Sequence, residues 1–154
     1  MRRLTLLLIL VAIAACGGST AQTATSPSSV AAAPTAMVAV TANPKLGQIL
    51  VDGNGRTLYL FEADKGKAST CYGTCATYWP PLLTGGAPQA GSGLNASLLG
   101  TSRRSDGTTE VTYAGHPLYY VVTDHNSGDT TGQAVVNFGA AWYVLGPDGN
   151  RVGG

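Results

Sequence analysis

Few side chains here belong to types that do chemistry unaided, so their spacing decides what they can do. The 154 residues include three cysteines and two histidines. Cys71 and Cys75 sit in Ser69-Thr70-Cys71-Tyr72-Gly73-Thr74-Cys75-Ala76-Thr77-Tyr78-Trp79-Pro80-Pro81. On a regular helix, residues four apart hold their Cβ atoms about 5–6 Å apart, wider than the ~3.8 Å a disulfide needs. Gly73 lets the chain turn more tightly, so a loop can close a Cys71–Cys75 disulfide, the usual fate of dithiols outside the cytoplasm. The alternative is a thiol site, in which two thiolates and a distant histidine, His116 or His125, hold copper(I) or zinc. Haem attachment fails because Ala76, not His, follows the second cysteine. A thioredoxin-type site wants two intervening residues beside a βαβ pattern, and neither is present.

His116 lies between Gly115 and Pro117, a turn position that suits a solvated imidazole. Asp124-His125-Asn126-Ser127-Gly128-Asp129 places oxygen-bearing side chains at alternate positions, as a calcium loop does. The closing bidentate Glu is missing, since that position is Val135. No Ser-centred nucleophile elbow, paired-carboxylate spacing, phosphate loop or zinc-protease motif is visible. With 8 Asp and Glu, the chain has little general acid–base equipment. The expectation is a protein that is not an enzyme and carries no cofactor.

What positions these residues is a repeat. Gly55-Arg56-Thr57-Leu58-Tyr59-Leu60-Phe61-Glu62-Ala63-Asp64 returns as Gly115-His116-Pro117-Leu118-Tyr119-Tyr120-Val121-Val122-Thr123-Asp124. Gly, Leu, Tyr and Asp keep their offsets, with a bulky apolar residue two places after the Tyr. A shorter echo runs Trp142-Tyr143-Val144-Leu145-Gly146-Pro147-Asp148. The five-residue apolar runs 57–61 and 118–122, bounded by Gly and Asp, read as buried strands with their punctuating turns. Tyr59, Phe61, Asp64, Tyr119, Val121 and Asp124 are therefore expected to be structural. Further strands are expected at 37–42, 48–51, 108–113 and 142–145. Asp52-Gly53-Asn54-Gly55 should close a hairpin between 48–51 and 57–61, and the strand at 108–113 should feed 118–122. Its alternation sets Thr109, Val111 and Tyr113 on one face and Glu110 and Thr112 on the other. The fold class is all-β: one small domain, residues 37–154, built from two tandem ~60-residue β-meander repeats, with Trp79 and Trp142 as core fillers.

The N-terminus is a processing signal. Arg2 and Arg3 precede an apolar run, 4–12, too short to span a bilayer, and Ile13-Ala14-Ala15-Cys16 follows. Residues 1–15 thus read as a lipoprotein signal peptide and Cys16 as an acylated first mature residue, which anchors the chain to a membrane without spanning it. An ordinary secretory signal with an incidental Cys is the alternative. From Cys16 to residue 36 the chain is mostly Ser, Thr, Ala, Gly and Pro, without charge and with almost no bulky side chain, and should be a disordered tether. Its root-mean-square reach is roughly 25 Å. Removing two of the 9 Lys and Arg leaves 7 against 8 Asp and Glu, a mature net charge of −1. Arg103-Arg104 is an isolated basic pair, so the footprint of a nucleic-acid binder is missing.

Lipobox, tether, tandem G-x-x-L-Y-x-x-x-x-D units, Cys-x-x-x-Cys and Trp-Pro-Pro together resemble predicted bacterial lipoproteins with a repeated Tyr-x-aromatic-x-x-Asp motif, the secreted repeat of unknown function. The resemblance covers nearly all of residues 45–150. Tyr59, Phe61 and Asp64 match the motif, whereas Val121 replaces the aromatic in the second copy. It implies an extracytoplasmic, membrane-anchored protein and names no activity. Two function classes follow: a non-enzymatic binding or structural module with a protein or small-molecule partner, or an envelope redox or copper-handling protein using Cys71 and Cys75.

Overall fold

Apolar runs punctuated by Gly, Asn and Asp favour strands over helix, and strands dominate the chain. The computed structural model describes residues 33–153. The signal peptide, Cys16 and the tether as far as residue 32 lie outside the described residues. In chain order come β1 (Met37–Asn43), β2 (Gly47–Asp52), β3 (Tyr59–Phe61), a five-residue helix α1 (Thr74–Tyr78) and β4 (Gln89–Ala90). A 3-10 turn (Ala96–Leu98), β5 (Leu99–Arg103), β6 (Thr109–Tyr113), β7 (His116–Pro117), β8 (Val135–Asn137) and β9 (Ala140–Val144) follow. They make three three-stranded sheets, β2-β1-β4, β3-β9-β8 and β5-β6-β7.

The expected hairpin turn at Asp52 forms. Its carboxylate accepts the N–H groups of Asn54 and Arg56 at 2.8 and 2.9 Å, and Val51 pairs with Thr57. Pairing with β2 ends with Leu58, however, and from Tyr59 the chain enters the centre of the molecule. The longest hairpin is instead β1–β2, turned by Asn43, whose side chain accepts from the N–H groups of Lys45 and Leu46. The second meander runs as expected from β6 through β7 into 118–122.

At the centre the two motif segments meet, β3 as a strand and 118–122 not as the regular strand expected but as chain joined by isolated bridges at Tyr119. Tyr59 and Tyr119 exchange both backbone hydrogen bonds, at 2.9 and 3.0 Å. On its outer side each motif segment pairs with the Trp-bearing segment of the other repeat. β3 runs against β9, with Phe61 opposite Trp142. Residues 118–122 run against 78–82: Val122 donates to Tyr78, Tyr120 to Pro80, and Leu82 to Leu118, at 2.8–3.1 Å. The repeats are thus interlocked about a pseudo-two-fold axis between Tyr59 and Tyr119. The third, shorter echo is simply β9, the Trp strand of the second repeat.

Strand alternation sorts the core into two layers. Tyr59, Phe61, Tyr119 and Val121 face one cluster, with Trp79 and Trp142; Leu58, Leu60 and Leu118 face the other, with Leu82, Val111 and Leu145. In the first layer Phe61 lies flat on Trp142 and Trp142 flat on Trp79, each pair with centroids 4.0 Å apart. Tyr59 meets Trp79 edge-on at 5.5 Å and Tyr119 meets Trp142 edge-on at 5.2 Å. Each such pair adds about 0.5–1.5 kcal/mol beyond its burial. Gly132 has to be glycine, since a Cβ there would stand 2.7 Å from the Trp79 ring and 2.9 Å from Tyr59.

Three features go beyond the sequence pattern. The folded part begins before residue 37, because Pro34 accepts the Gly85 N–H and Ala36 donates to the Thr84 hydroxyl. The alternation of β6 does not divide a wet face from a dry one: 110–113 are all buried, and Arg104 covers Glu110. Helix α1 leaves no trace in hydrophobic periodicity because five residues span barely more than one turn.

Replacing Trp142 with Ala removes the central ring of the stack. A loss of about 3–5 kcal/mol in urea unfolding is expected; a loss below 1 kcal/mol would show that the stack is not what holds the layers together.

Candidate functional site

The motif tyrosines and aspartates are fully engaged with each other across the repeats. Tyr59 Oη donates to Asp124 Oδ2 at 2.6 Å, and Tyr119 Oη donates to Asp64 Oδ2 at 2.7 Å. The second oxygen of each Asp closes its own loop. Asp124 Oδ1 accepts from the Thr131 N–H and hydroxyl, and Asp64 Oδ1 accepts from the Thr70 N–H and hydroxyl, at 2.7–2.9 Å. Burial pushes both tyrosine hydroxyls far up, and the carboxylates they face push the same way. They stay protonated and donate, which suits a structural clasp and not an acid or base.

Around Tyr119 lies a polar cluster without a counterpart in the other repeat. Arg104, 3% exposed, donates to Glu110 Oε2, to Ser69 Oγ and to the Cys71 carbonyl, each at 2.8 Å. Tyr72 stacks under its guanidinium at 4.4 Å. Because the single Tyr119 proton goes to Asp64, Ser69 Oγ, 2.6 Å from Tyr119 Oη, supplies its own proton to that contact. Glu110 Oε1 is buried with no protein partner, as is Trp142 Nε1. Burial pushes the Glu110 carboxyl up to about 7, against the opposing pull of Arg104. In the sequence Arg103-Arg104 is an isolated basic pair; the structure exposes Arg103 and buries Arg104. The six-residue separation of Arg104 and Glu110 around the Asp106-Gly107 turn was the available signal.

Cys71 and Cys75 form a disulfide with Cα atoms 5.2 Å apart. Cys71 precedes the helix and Cys75 lies within it, and Gly73 between them takes φ +55°, the tight turn such a closure needs. With the sulfurs bonded to each other, the set Cys71, Cys75 and His116 does not offer thiolate ligands. His116 lies instead on the wall of a separate open cavity of about 560 Å³, with Glu62, Lys65 and Arg151. The calcium-like loop turns its oxygens inward: Asp124 holds Tyr59 and Thr131, and Asp129 accepts from His125 and Asn126. Among the described residues no group of three or more His, Cys, Asp or Glu could hold a metal ion.

One further feature follows from Val121. A cavity of about 260 Å³ opens beside it, with Trp79 and Val135 in its wall and Tyr78 and Val122 at its edge. Phe138, at the β8–β9 turn, leans on Tyr78 with ring centroids 6.1 Å apart. Tyr78, Val122 and Phe138 are 53, 42 and 42% exposed, whereas the neighbouring Val136 points to the other face of β8. The missing aromatic at position 121 was the sequence signal for this opening.

An all-β domain of two interlocked repeats, with its motif residues turned inward, defines a class of repeat module. The chain belongs to the family described as a secreted repeat of unknown function, whose model matches residues 40–83 and 100–145, and it is accordingly extracytoplasmic. No curated protein and no solved structure matches it.

Tyr59→Phe and Tyr119→Phe each strip a buried carboxylate of one donor. Each is expected to cost about 1–3 kcal/mol in urea unfolding; unchanged stability in both would remove the clasp from the account of the fold. Glu110 sets a pH dependence. Its folded carboxyl keeps a proton up to about 7, while the unfolded chain releases it near ~4.3. The folded state therefore binds more protons between those values, and stability falls as pH rises through that window. Glu110→Gln should flatten the fall; an equal slope in the variant would assign it to another group.

Proposed function

We propose that this protein is a lipid-anchored, extracytoplasmic binding module that engages a polypeptide partner and catalyses nothing itself. The observation that carries this is the contrast between its polar and apolar groups. The motif hydroxyls and carboxylates are tied into the fold, whereas Tyr78 and Val122 stand exposed at a cavity edge, with exposed Phe138 beside Tyr78. Exposed aromatics grouped around a recess are what a protein interface uses as its centre. The near-neutral mature charge speaks against nucleic acid as the partner. Acylated Cys16 would hold the domain on the outer face of a bacterial membrane, with the low-complexity segment after it as the leash.

One set of variants in the producing bacterium tests both halves. Cys16→Ala is expected to leave the membrane fraction while melting like the parent; a variant that still sediments with membranes contradicts the anchor. A photo-crosslinker at Phe138 should yield a discrete adduct that one at Lys45 does not, and Tyr78→Ser should abolish it without lowering the melting temperature. Absence of any adduct specific to Phe138 contradicts binding at this face. The Cys71→Ser/Cys75→Ser double variant should retain the adduct; its loss at unchanged stability would favour the redox alternative.

A further inference from the structure

We infer that the cavity beside Val121 is the seat for one neutral aromatic side chain presented by the partner polypeptide. This deepens the binding function proposed above and rests on it. The template lies within the molecule. Phe61 covers Trp142 at 4.0 Å with the rings 10° from parallel, and Trp142 covers Trp79 at 4.0 Å and 4°. The pseudo-two-fold that carries Tyr59 onto Tyr119 carries Phe61 onto Val121 and Trp142 onto Trp79. The stack that begins with an aromatic ring at one end therefore ends with an isopropyl group at the other, and the cavity opens at that end.

Size and charge narrow the occupant. About 260 Å³ falls short of the ~300–1,000 Å³ of ordinary small-molecule pockets and suits a single ring. No side chain lining it is charged, so an ionised group would enter without a counter-charge. Trp79 is only 1% and Val121 6% exposed, so an occupant does not lie on a bare indole face and is held mainly by the rim residues Tyr78 and Val122. Polar groups remain at hand. The Thr123 and Thr131 hydroxyls meet at 2.6 Å, and the amide of Asn137 holds the Trp79 N–H through its oxygen, leaving its nitrogen to donate. At its rim, Tyr78 and Val122, with Phe138 beside Tyr78, offer apolar surface of the kind that shields an anchor residue from water. β8 is the edge strand of its sheet, so an extended segment carrying the anchor can lie along it.

The test titrates the full-length protein with two capped peptides, acetyl-Ser-Phe-Ser-amide and acetyl-Ser-Leu-Ser-amide, and with free indole. NMR signals of the Trp79 indole N–H and the Val121 methyls provide the readout. The Phe peptide should shift these signals with at least ten-fold higher affinity than the Leu peptide or indole. Val121→Phe, which rebuilds the motif aromatic, should abolish the shift while melting no lower than the parent. Should that variant fail to fold, Val122→Lys at the cavity edge should weaken binding by a similar factor. No shift with the Phe peptide, equal shifts with Phe and Leu, or undiminished binding in Val121→Phe overturns the proposal. Indole binding as tightly as the Phe peptide overturns it in favour of a free aromatic ligand. A dimer in sedimentation that Val121→Phe dissolves assigns the seat to a second copy, and so overturns it too. Crosslinking at Phe138 that persists while the peptides fail leaves the binding module standing and removes this seat alone.

Discussion

The backbone pair between Tyr59 and Tyr119 is the constraint from which the rest follows. It places two identical rings side by side in the dry centre, where neither hydroxyl can reach water. Each ring finds its acceptor only on the other repeat, since Tyr59 reaches Asp124 and Tyr119 reaches Asp64. Those carboxylates in turn close the loops that follow them, through Thr131 and Thr70. A buried hydroxyl or carboxylate without a partner costs several times the net worth of one hydrogen bond. Repeat, clasp and loop closure are therefore one arrangement, and separating any of them orphans a buried charge.

Around this symmetric centre the two repeats differ in how their loops are held. After Asp64 the chain is fastened by the Cys71–Cys75 disulfide and by Arg104, which grips Ser69 and the Cys71 carbonyl. After Asp124 it is fastened by β8 lying along β9 and by Asn137, which takes the Trp79 N–H. Different devices meet the same need: a loop that must bring a threonine to an aspartate and a tryptophan back under the tyrosines. Val121, in place of the motif aromatic, lies between both devices, since Tyr78 and Trp79 at the end of the disulfide-bearing loop and Val135 and Asn137 of β8 line the cavity beside it.

What the sequence disclosed depended on whether the cause was local. The motif runs, the Asp52 turn and the two Trp residues as core fillers are visible because period, Gly and Asp mark them within a few residues. The disulfide closure was legible through Gly73. Strand exchange was not, since a repeat signals that two units are alike and says nothing about which strand pairs with which. Alternation set Glu110 and Thr112 on one face of β6 but could not say that this face is buried too, with Glu110 held by Arg104. The cavity had its cause in one letter, Val121, but its neighbours Tyr78 and Phe138 arrive from 43 residues before and 17 after.

Interlocking the repeats also bears on how the molecule comes into being. A chain exported from its N-terminus delivers residues 78–82 well before the segment they need, 118–122, has emerged. Likewise β3 waits for β9, close to the end of the chain. The β1–β2 hairpin can pair on its own, but the motif segments cannot complete their hydrogen-bond ladders until almost all of the chain has crossed. High contact order of this kind slows folding and prolongs exposure of sticky strands. The five-residue cystine loop, like the β1–β2 hairpin, needs no distant partner and can close early. A small, early, covalent knot in an otherwise late-folding chain gives the first repeat one fixed corner on which the second can be built.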